Sequence, residues 1–363
     1  MKRLRMAVIG VGHLGQSHAR ILAGLPDVEL VGVVDVNPLQ AQLIADRHQT
    51  RAFSDYESLL GQVDAVSVVV PTTHHHRVAK TFLEHDIPVL VEKPITLSVS
   101  EADELVQLSE SRGLPLQVGH IERFNPAFEE LIQKAMQPKF VECERHGPFT
   151  GRSLDIGAIL DLMIHDLDLL LALNGGPVTE VSAIGAAVFG GHEDVVNARL
   201  VFANGCVAHV TASRVSPTPK RKLRIWAPEG YAGIDFVDKR LTLVQPSEEL
   251  RRHGLRLASL DSTRQANLKE EIFHHHLQTQ ELDCNHGPDQ LTRELQHFVQ
   301  CVRTGKKPRV SGEDGRAALA LAERILESVH SHRWEGRPDG PTGPQEWPLP
   351  FGPLFDVPMR KAA

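Results

Sequence analysis

No apolar run in this 363-residue sequence approaches the roughly 18 residues that would cross a lipid bilayer. The chain starts with a basic stretch, but the apolar segment that follows, Met6–Gly10, is too short for the hydrophobic part of a secretory signal. We therefore expect a cytoplasmic protein with no membrane partner, in which Met6–Gly10 forms the first strand.

Cysteine is also scarce, which bears on metal binding. The four cysteines are far apart and no pair has zinc-site spacing; they are Cys143, Cys206, Cys284 and Cys301. The twenty histidines include two runs, His74–His76 and His274–His276. Adjacent residues on a helix point in different directions and do not converge easily on one ion. The sequence therefore predicts no bound metal.

An excess of positive charge is absent as well. The formal net charge of −7 argues against a general nucleic-acid-binding protein. A composition of 41% hydrophobic and 23% charged residues is that of an ordinary globular protein. Because 363 residues exceed one typical domain, we expect two domains.

The first motif is a glycine-rich loop between the N-terminal strand and Gln16–Leu25, a segment with helical apolar spacing. Its three glycines would permit a tight turn, the approach of a pyrophosphate and close packing of helix on strand. The start of the helix would offer free N–H groups and a positive dipole end to the phosphates. The loop residues expected to contact a dinucleotide are Gly10, Gly12, His13, Leu14 and Gly15.

A carboxylate follows the second predicted strand. Glu29–Val34 ends at Asp35, twenty positions after Gly15, where a carboxylate accepts hydrogen bonds from the ribose diol of a dinucleotide. The next residues, Val36-Asn37-Pro38, include no arginine to hold a 2′-phosphate. The sequence therefore predicts NAD as the cofactor.

The next strand also ends in residues suited to a ligand. Asp64–Val70 is a continuous apolar segment, typical of the centre of a parallel sheet. It leads into Pro71-Thr72-Thr73-His74 at the carboxyl end of the strand. We expect Pro71, Thr72 and His74 to face the cofactor.

A lysine follows another short strand, Pro88–Val91. Pro94 stops this strand, since proline has no N–H to donate to the ladder. Glu92 and Lys93 then lie at the carboxyl end of the sheet, where open α/β sheets bind ligands. Taken alone, this tripeptide is better explained as a solvated surface pair. The motifs around it favour a contact with cofactor and substrate.

Strands and helices alternate as far as a last strand at Leu116–Gly119. Such alternation implies right-handed βαβ crossovers and a doubly wound parallel sheet. We therefore assign 1–122 to an NAD-binding Rossmann domain within an α/β protein.

The pattern then changes to successive strands with few helices. The predicted strands are Phe140–Arg145, Val178–Val188, Val195–Phe202, Val207–Ser213, Lys222–Ala227, Ala232–Phe236 and Leu241–Val244. Two helices, Leu291–Arg303 and Gly315–His330, come later. This order predicts an α+β domain with an open, mostly antiparallel sheet over 123–332, one face of which is available to a partner subunit. The remaining 333–363 form a Pro- and Gly-rich tail, expected to be extended or disordered.

A second constellation lies in the apolar segment Leu160–Leu171. On a regular helix, Asp161, His165 and Asp168 would fall at i, i+4 and i+7 and form one polar line. A surface helix with a wet face is the simpler explanation, but this segment is apolar around most of its circumference. A carboxylate one turn from a histidine orients the imidazole and stabilises its protonated form. The pair could remove a hydroxyl proton as hydride leaves.

Taken in order, these motifs resemble the Gfo/Idh/MocA family of oxidoreductases over roughly residues 5 to 330. The matching motifs are Gly10-x-Gly12-x-x-Gly15, Asp35, Glu92-Lys93-Pro94 and Asp161-x-x-x-His165. The resemblance implies that 123–332 is a substrate-binding domain and that a homodimer or homotetramer is built through its open sheet. It also implies that Lys93 and His165 carry the chemistry, with Asp161 beside them. The family usually has glycine where Met163 stands, so we expect Met163 to narrow the reacting space or to shift the helix.

Within the family, Val118–Pro126 and Asp161–Asp166 look most like members that oxidise the 3-hydroxyl of UDP-N-acetylglucosamine. The product, a 3-keto sugar, can be converted by a separate aminotransferase into an amino sugar for lipid A or surface polysaccharide. The resemblance implies a nucleotide-sugar substrate. The residues it would place on that substrate are Lys93, Arg123, Asn125, Asp161 and His165.

Four questions stay open at this point. The same chemistry would serve an NAD(P)-dependent dehydrogenase of a free sugar or a polyol such as inositol. A non-catalytic dinucleotide-binding sensor is a further alternative, although a sensor needs neither Lys93 nor His165. Which of those two residues is the immediate base is also undecided. Arg214 and the run Lys220–Lys222 could hold a diphosphate, while a solvated strand edge explains the run equally well.

We expect the enzyme to use NAD at least ~10-fold more efficiently than NADP, a difference of about 1.4 kcal/mol. A 2′-phosphate beside Asp35 would meet like-charge repulsion with no arginine in Val36-Asn37-Pro38 to offset it. Steady-state kcat/KM with each cofactor measures the preference. Equal or better use of NADP would reject the assignment.

Overall fold

The computed structural model describes residues 2–149, 151, 156–188, 191–254, 272, 276–334, 340 and 342–344. The chain forms two compact units. The first unit contains Met1–Phe124 and Pro288–Glu323, and the second contains Asn125–Gly287 and Arg324–Ala363. The predicted tail and residues 150–155 lie almost wholly outside the described residues. In the described part of the chain, no helix is long and apolar enough to cross a membrane.

Fourteen strands occur in the described residues and form two sheets. They are β1 Leu4–Ile9, β2 Val28–Val34, β3 Arg51–Phe53, β4 Ala65–Val68, β5 Val89–Glu92, β6 Leu116–Gly119, β7 Phe140–His146, β8 Val178–Ala186, β9 Val195–Phe202, β10 Val207–Ser213, β11 Lys220–Ala227, β12 Gly230–Asp235, β13 Arg240–Pro246 and β14 Leu277–Asp283.

Nine α-helices occur in the same residues. They are α1 Gly15–Gly24, α2 Pro38–His48, α3 His75–Glu84, α4 Val99–Arg112, α5 Pro126–Gln133, α6 Ile164–Asn174, α7 Glu248–His253, α8 Gln290–Thr304 and α9 Gly312–Ser331. Short 3₁₀ turns lie at Glu57–Leu59, Thr72–His74 and Ile121–Phe124, and a π-helical turn at Ile159–Met163 precedes α6.

The sheet of the first unit has six parallel strands in the order β3-β2-β1-β4-β5-β6. This is the doubly wound Rossmann order, which reverses direction between β1 and β4 and opens a crevice there. Every residue of β4 is buried, as expected for a strand with helices on both faces. The predicted fold class of this part is confirmed.

The first unit is completed by a segment from far along the chain. Leu295, Phe298 and Val299 of α8 belong to the same buried cluster as Met6 and Val8 of β1. The apolar face of α8 is therefore covered by the Rossmann sheet and its helices. The sequence analysis placed 123–332 in one continuous domain; Pro288–Glu323 instead belongs to the first unit.

The second unit contains an eight-stranded sheet in the order β14-β13-β12-β11-β7-β10-β9-β8. All neighbours are antiparallel except β7 and β10, which pair in parallel inside the sheet. The predicted mostly antiparallel sheet is confirmed, and β9 and β10 have the predicted bounds. Strand β14 was not predicted. It is an edge strand with mostly exposed residues, so it lacks the apolar alternation that identifies a strand.

The two faces of this sheet differ. Along β9 and β10, buried residues alternate with residues on the outer face. On that outer face, the Phe140 ring lies 5.1 Å from Trp226 and 5.3 Å from His209. Beside these rings, Arg224 pairs with Glu142 at 2.7 Å. The outer face is therefore a mixed aromatic and charged surface. The oligomer prediction rested on a run of strands with alternating apolar residues, so this composition differs from the expected one.

The basic residues considered for a diphosphate are engaged on the fold. Arg214 is buried and pairs with Asp194. Lys220 lies 2.8 Å from Glu144, and Lys222 lies 3.4 Å from Asp235. These ion pairs favour the solvated-strand explanation over a diphosphate site.

The oligomer prediction can be tested on this outer face. We expect a homodimer or homotetramer at micromolar concentration, and Trp226→Asp should shift it towards monomer, because a buried unpaired carboxylate weakens an interface. Trp226 is 36% exposed; Ile132 on α5, 45% exposed, gives the control Ile132→Asp. Light scattering reads the mass of each variant. A stable wild-type monomer would reject the prediction.

Candidate active site

The three loop glycines have different local requirements. Gly10 has a φ of +89°, and a Cβ there would lie 2.5 Å from the carbonyl oxygen of Val69. A Cβ on Gly15 would lie 1.9 Å from the carbonyl oxygen of Gly10. A Cβ on Gly12 would meet nothing described within 4 Å, so this side of the loop is open. Such an arrangement lets a pyrophosphate approach the backbone at Gly12.

The loop leads directly into α1. His13 and Leu14 are exposed on the loop, and no described side chain caps the start of the helix. No acidic residue lies in its first turn. The positive end of the α1 dipole is therefore suited to an anion.

Asp35 is held against this loop. Its Oδ2 accepts a 3.0 Å hydrogen bond from the Val11 N–H, and its Oδ1 accepts a 2.9 Å bond from the Asn37 N–H. A carboxylate has about four acceptor positions, so capacity for the ribose hydroxyls is left. Asn37 itself caps α2 by accepting from Leu39 and Gln40. The structure thus brings Asp35 and the glycine loop together, as the sequence analysis expected.

The ends of β4 and β5 are tied together by a buried histidine. His75 Nδ1 lies 2.8 Å from the carbonyl oxygen of Pro94, and its Nε2 lies 2.9 Å from that of Val70. Pro94 follows Lys93 through a cis peptide bond, and Lys93 itself is half-buried. From the sequence, His75 was considered only within the run His74–His76, because both of its partners come from other elements.

The residues after β4 differ in exposure. Thr72 is buried at the start of a 3₁₀ turn, whereas Pro71 and His74 are exposed. All three lie at the carboxyl end of the sheet, where the sequence analysis placed them.

Another buried histidine follows β6. Burial, together with the positive charges of Arg123 and Lys93, lowers the pKa of His120 to about 3. His120 is therefore neutral at physiological pH. A neutral imidazole close to Lys93 adds no positive charge to the rim of the sheet.

Arg123 and Asn125 are used differently by the fold. An Nη of Arg123 lies 3.3 Å from Asp314. Asn125 is fully buried. Its Oδ1 caps α5 by accepting from Ala127 N–H, and its Nδ2 donates to the Phe236 carbonyl. The Asn125 amide is thus engaged in hydrogen bonds to the backbone, which argues against its predicted contact with the substrate. Arg123 remains a candidate for that contact.

The segment with Asp161 and His165 is not a regular α-helix. Ile159–Met163 is a π turn in which the Ile164 N–H reaches back to the Ile159 carbonyl. The wider turn changes the angle between Asp161 and His165, so the straight polar line predicted with Asp168 is wrong. Asp161 and His165 are half-buried, whereas Asp168 is buried. Single-turn π insertions are frequent at functional sites.

Met163 is the last residue of this turn and is fully buried. Two effects were expected from methionine at this position, a narrower reacting space or a shifted helix. A buried side chain at the end of a widened turn favours the shifted helix.

Two buried contacts hold this helix in place. Asp166, next to His165, forms a two-pronged pair with Arg145 at 2.9 and 2.8 Å. At the start of the π turn, Glu193 accepts a 3.0 Å hydrogen bond from the Ile159 N–H. A Cβ on Gly157 would lie 2.0 Å from the same carboxylate, so glycine is needed there. These contacts fix the backbone on both sides of Asp161.

Metal binding finds no support in the part of the chain that the structure describes. No group of three or more His, Cys, Asp or Glu residues there could hold an ion. His274 and His275 lie outside the described residues.

The sheet order, the glycine loop and Asp35 together define a dinucleotide-binding protein of the Rossmann class. A model described as "Oxidoreductase family, NAD-binding Rossmann fold" matches residues 4–120, and a GFO/IDH/MocA C-terminal domain model matches 134–232. The chain belongs to the Gfo/Idh/MocA oxidoreductase family, and its first unit binds NAD. Both expectations from the sequence are confirmed.

Individual relatives cover nearly the whole chain. UDP-N-acetylglucosamine 3-dehydrogenase of Acidithiobacillus ferrooxidans is 43% identical over 334 residues, which is 91% of this chain and 99% of the relative. A solved structure of that name from the same organism has a TM-score of 0.79 at 35% identity and covers 91% of this chain and 98% of its own. The scyllo-inositol 2-dehydrogenase (NAD(+)) of Bacillus subtilis is 28% identical over 91% of this chain and 95% of its own.

Proposed function

We propose that this protein catalyses the NAD-dependent oxidation of the 3-hydroxyl of UDP-N-acetylglucosamine to a 3-keto sugar. The observation that carries the proposal is the 43% identity to a relative of that activity over nearly the full length of both chains. The product would be a substrate for amino-sugar synthesis. A cytoplasmic location, expected from the sequence, is part of the proposal.

The first unit offers the groups that a bound NAD requires. The open side of Gly12 and the uncapped start of α1 would receive the pyrophosphate, and Asp35 would accept from the ribose. Pro71, Thr72, His74 and Glu92 would line the nicotinamide end. When bound, NAD supplies the hydride acceptor.

The proton transfer is assigned to three side chains. His165 accepts the proton of the sugar hydroxyl, and Asp161 favours the imidazolium that forms. Lys93 donates a hydrogen bond to the same oxygen and stabilises its developing negative charge. Lys93 is the alternative immediate base. Arg123 is a candidate for binding the substrate.

A free polyol is the second candidate substrate. The relative from Bacillus subtilis, a scyllo-inositol 2-dehydrogenase, matches 91% of this chain, although at only 28% identity. That reaction would use the same Lys93 and His165. The two candidates therefore differ in substrate and share the chemistry.

A substrate panel distinguishes these candidates. We expect NADH formation with UDP-N-acetylglucosamine at a kcat/KM at least ~100-fold above that with inositol, because the remote nucleotide supplies binding energy that a polyol lacks. Absorbance of NADH gives the rate, and mass spectrometry identifies the 3-keto product. Turnover of inositol without turnover of any nucleotide sugar would reject the substrate class. No turnover of any substrate would support a non-catalytic sensor.

Variants of the two central residues test the chemistry. General acid–base assistance is worth about 10²–10⁴-fold, so Lys93→Met and His165→Ala should each lower turnover at least ~100-fold. NAD affinity, measured by fluorescence, should change little in His165→Ala because the glycine loop and Asp35 are untouched. His209→Ala, on the outer sheet face, is the matched control. Near wild-type turnover in both variants would show that the assigned site is wrong.

A further inference from the structure

A polar chain lies behind Lys93, and two of its members, His18 and Ser67, have no part in the mechanism above. His18 of α1 and Ser67 of β4 are both fully buried, and His18 Nδ1 lies 2.9 Å from the Ser67 hydroxyl. The other ring nitrogen, Nε2, lies 3.2 Å from the Glu92 carboxylate at the end of β5. That carboxylate accepts a 3.2 Å hydrogen bond from the Lys93 N–H.

This chain is an exception within its surroundings. Ser67 is the one polar residue of β4, and the neighbours of His18 on α1 include the buried Ala19 and Leu22. Replacing both partners of a buried hydrogen bond by apolar groups of the same shape is nearly neutral or even stabilising, so packing alone does not require polar residues at these two positions. The polar residues therefore have a purpose other than filling the core.

Little space surrounds the Glu92 carboxylate. On the β6 side, a Cβ at Gly119 would lie 2.9 Å from the Glu92 carboxyl group. His18 Nε2, at 3.2 Å, attracts the Glu92 carboxylate from the side of α1. Glu92 is thus confined by β6 on one side and held by His18 on another.

The charge on Glu92 depends on these neighbours. Burial acts to raise the pKa of Glu92, but the contact with His18 and the charges of His18 and Lys93 outweigh it, so this pKa is lowered. The groups that face the carboxylate are His18 from α1, with Ser67 behind it, and Lys93, the residue that follows β5. From the β6 side come Gly119, which carries no charge, and then His120, which is neutral at physiological pH.

We propose that His18 is a positioning residue for the oxidation: it holds the Glu92 carboxylate in one orientation, and Glu92 in turn fixes the backbone of Lys93 at the rim of the sheet. This role rests on the proposed function, in which Lys93 contacts the reacting oxygen. His18 lies on the helix that begins at the glycine loop. The arrangement therefore links the phosphate-binding helix to the lysine through the contact between one imidazole and one carboxylate.

Three variants separate charge from packing. His18→Leu removes the partner of Glu92, whereas His18→Gln keeps a donor and an acceptor but carries no charge. Glu92→Gln keeps the shape and removes the carboxylate. His85→Gln, an exposed histidine on the first unit, is the matched control.

The kinetic readout is kcat as a function of pH. Without His18, burial dominates and the pKa of Glu92 rises, so the acid limb of the profile should move to higher pH. We expect a loss of kcat on the order of 10–100-fold near neutral pH, the scale of a misplaced catalytic group. Activity of His18→Leu should recover as the pH is raised and Glu92 ionises. NAD affinity should stay within about twofold.

Infrared spectroscopy provides a readout that needs no substrate. The band of a protonated buried carboxyl should appear at higher pH in His18→Leu than in the wild type, and it should be missing in Glu92→Gln. If the band titrates at the same pH with and without His18, the proposal is overturned whatever the substrate proves to be. A pH-independent loss of kcat together with a lower melting temperature would show a purely structural role and also overturn it. If the wild type is inactive but the infrared band still moves to higher pH in His18→Leu, only the proposed function is rejected.

Discussion

The close approach of α1 to β1 is the constraint on which the first unit depends. A side chain at Gly15 would collide with the Gly10 carbonyl oxygen, so the helix can begin directly at the sheet only with glycine at that position. The same approach aims the positive end of α1 at the open side of Gly12. One turn further along, it places His18 in the core between β4 and β5. Cofactor binding and the setting of Lys93 thus follow from one packing contact.

In the second unit, buried charged side chains hold a helix in position, whereas in the first unit the position of α1 depends on glycine. The helix with His165 is held by Asp166 on Arg145 and by Glu193 on the Ile159 N–H. Breaking a buried ion pair by removing one partner typically costs about 3–5 kcal/mol. Such a pair therefore restricts the movement of the backbone to which it is attached. A π turn can be maintained between these two contacts although a regular helix has better hydrogen bonds.

The sequence was sufficient to predict a feature of the site wherever a short local motif carried the functional residues. The glycine loop, Asp35 and the lysine after β5 were all recognisable, because each motif is short and lies at a strand end. The exposed edge strand β14 and the π turn gave no periodic signal. The roles of His18 and His75 could not be read because their partners, Ser67, Glu92, Val70 and Pro94, come from other elements. Long-range packing, rather than local propensity, determined these features.

The return of Pro288–Glu323 to the first unit has a consequence for how the protein is made. Domains usually fold from the N-terminus during synthesis, at about 5–20 residues per second. Here the cluster around Met6 and Val8 lacks Leu295, Phe298 and Val299 until α8 leaves the ribosome. Translation from Phe124 to Glu323 takes roughly 10–40 s at that rate. During this interval the nascent NAD-binding unit exposes apolar surface, which makes it a natural client for chaperones while the second unit is still being synthesised.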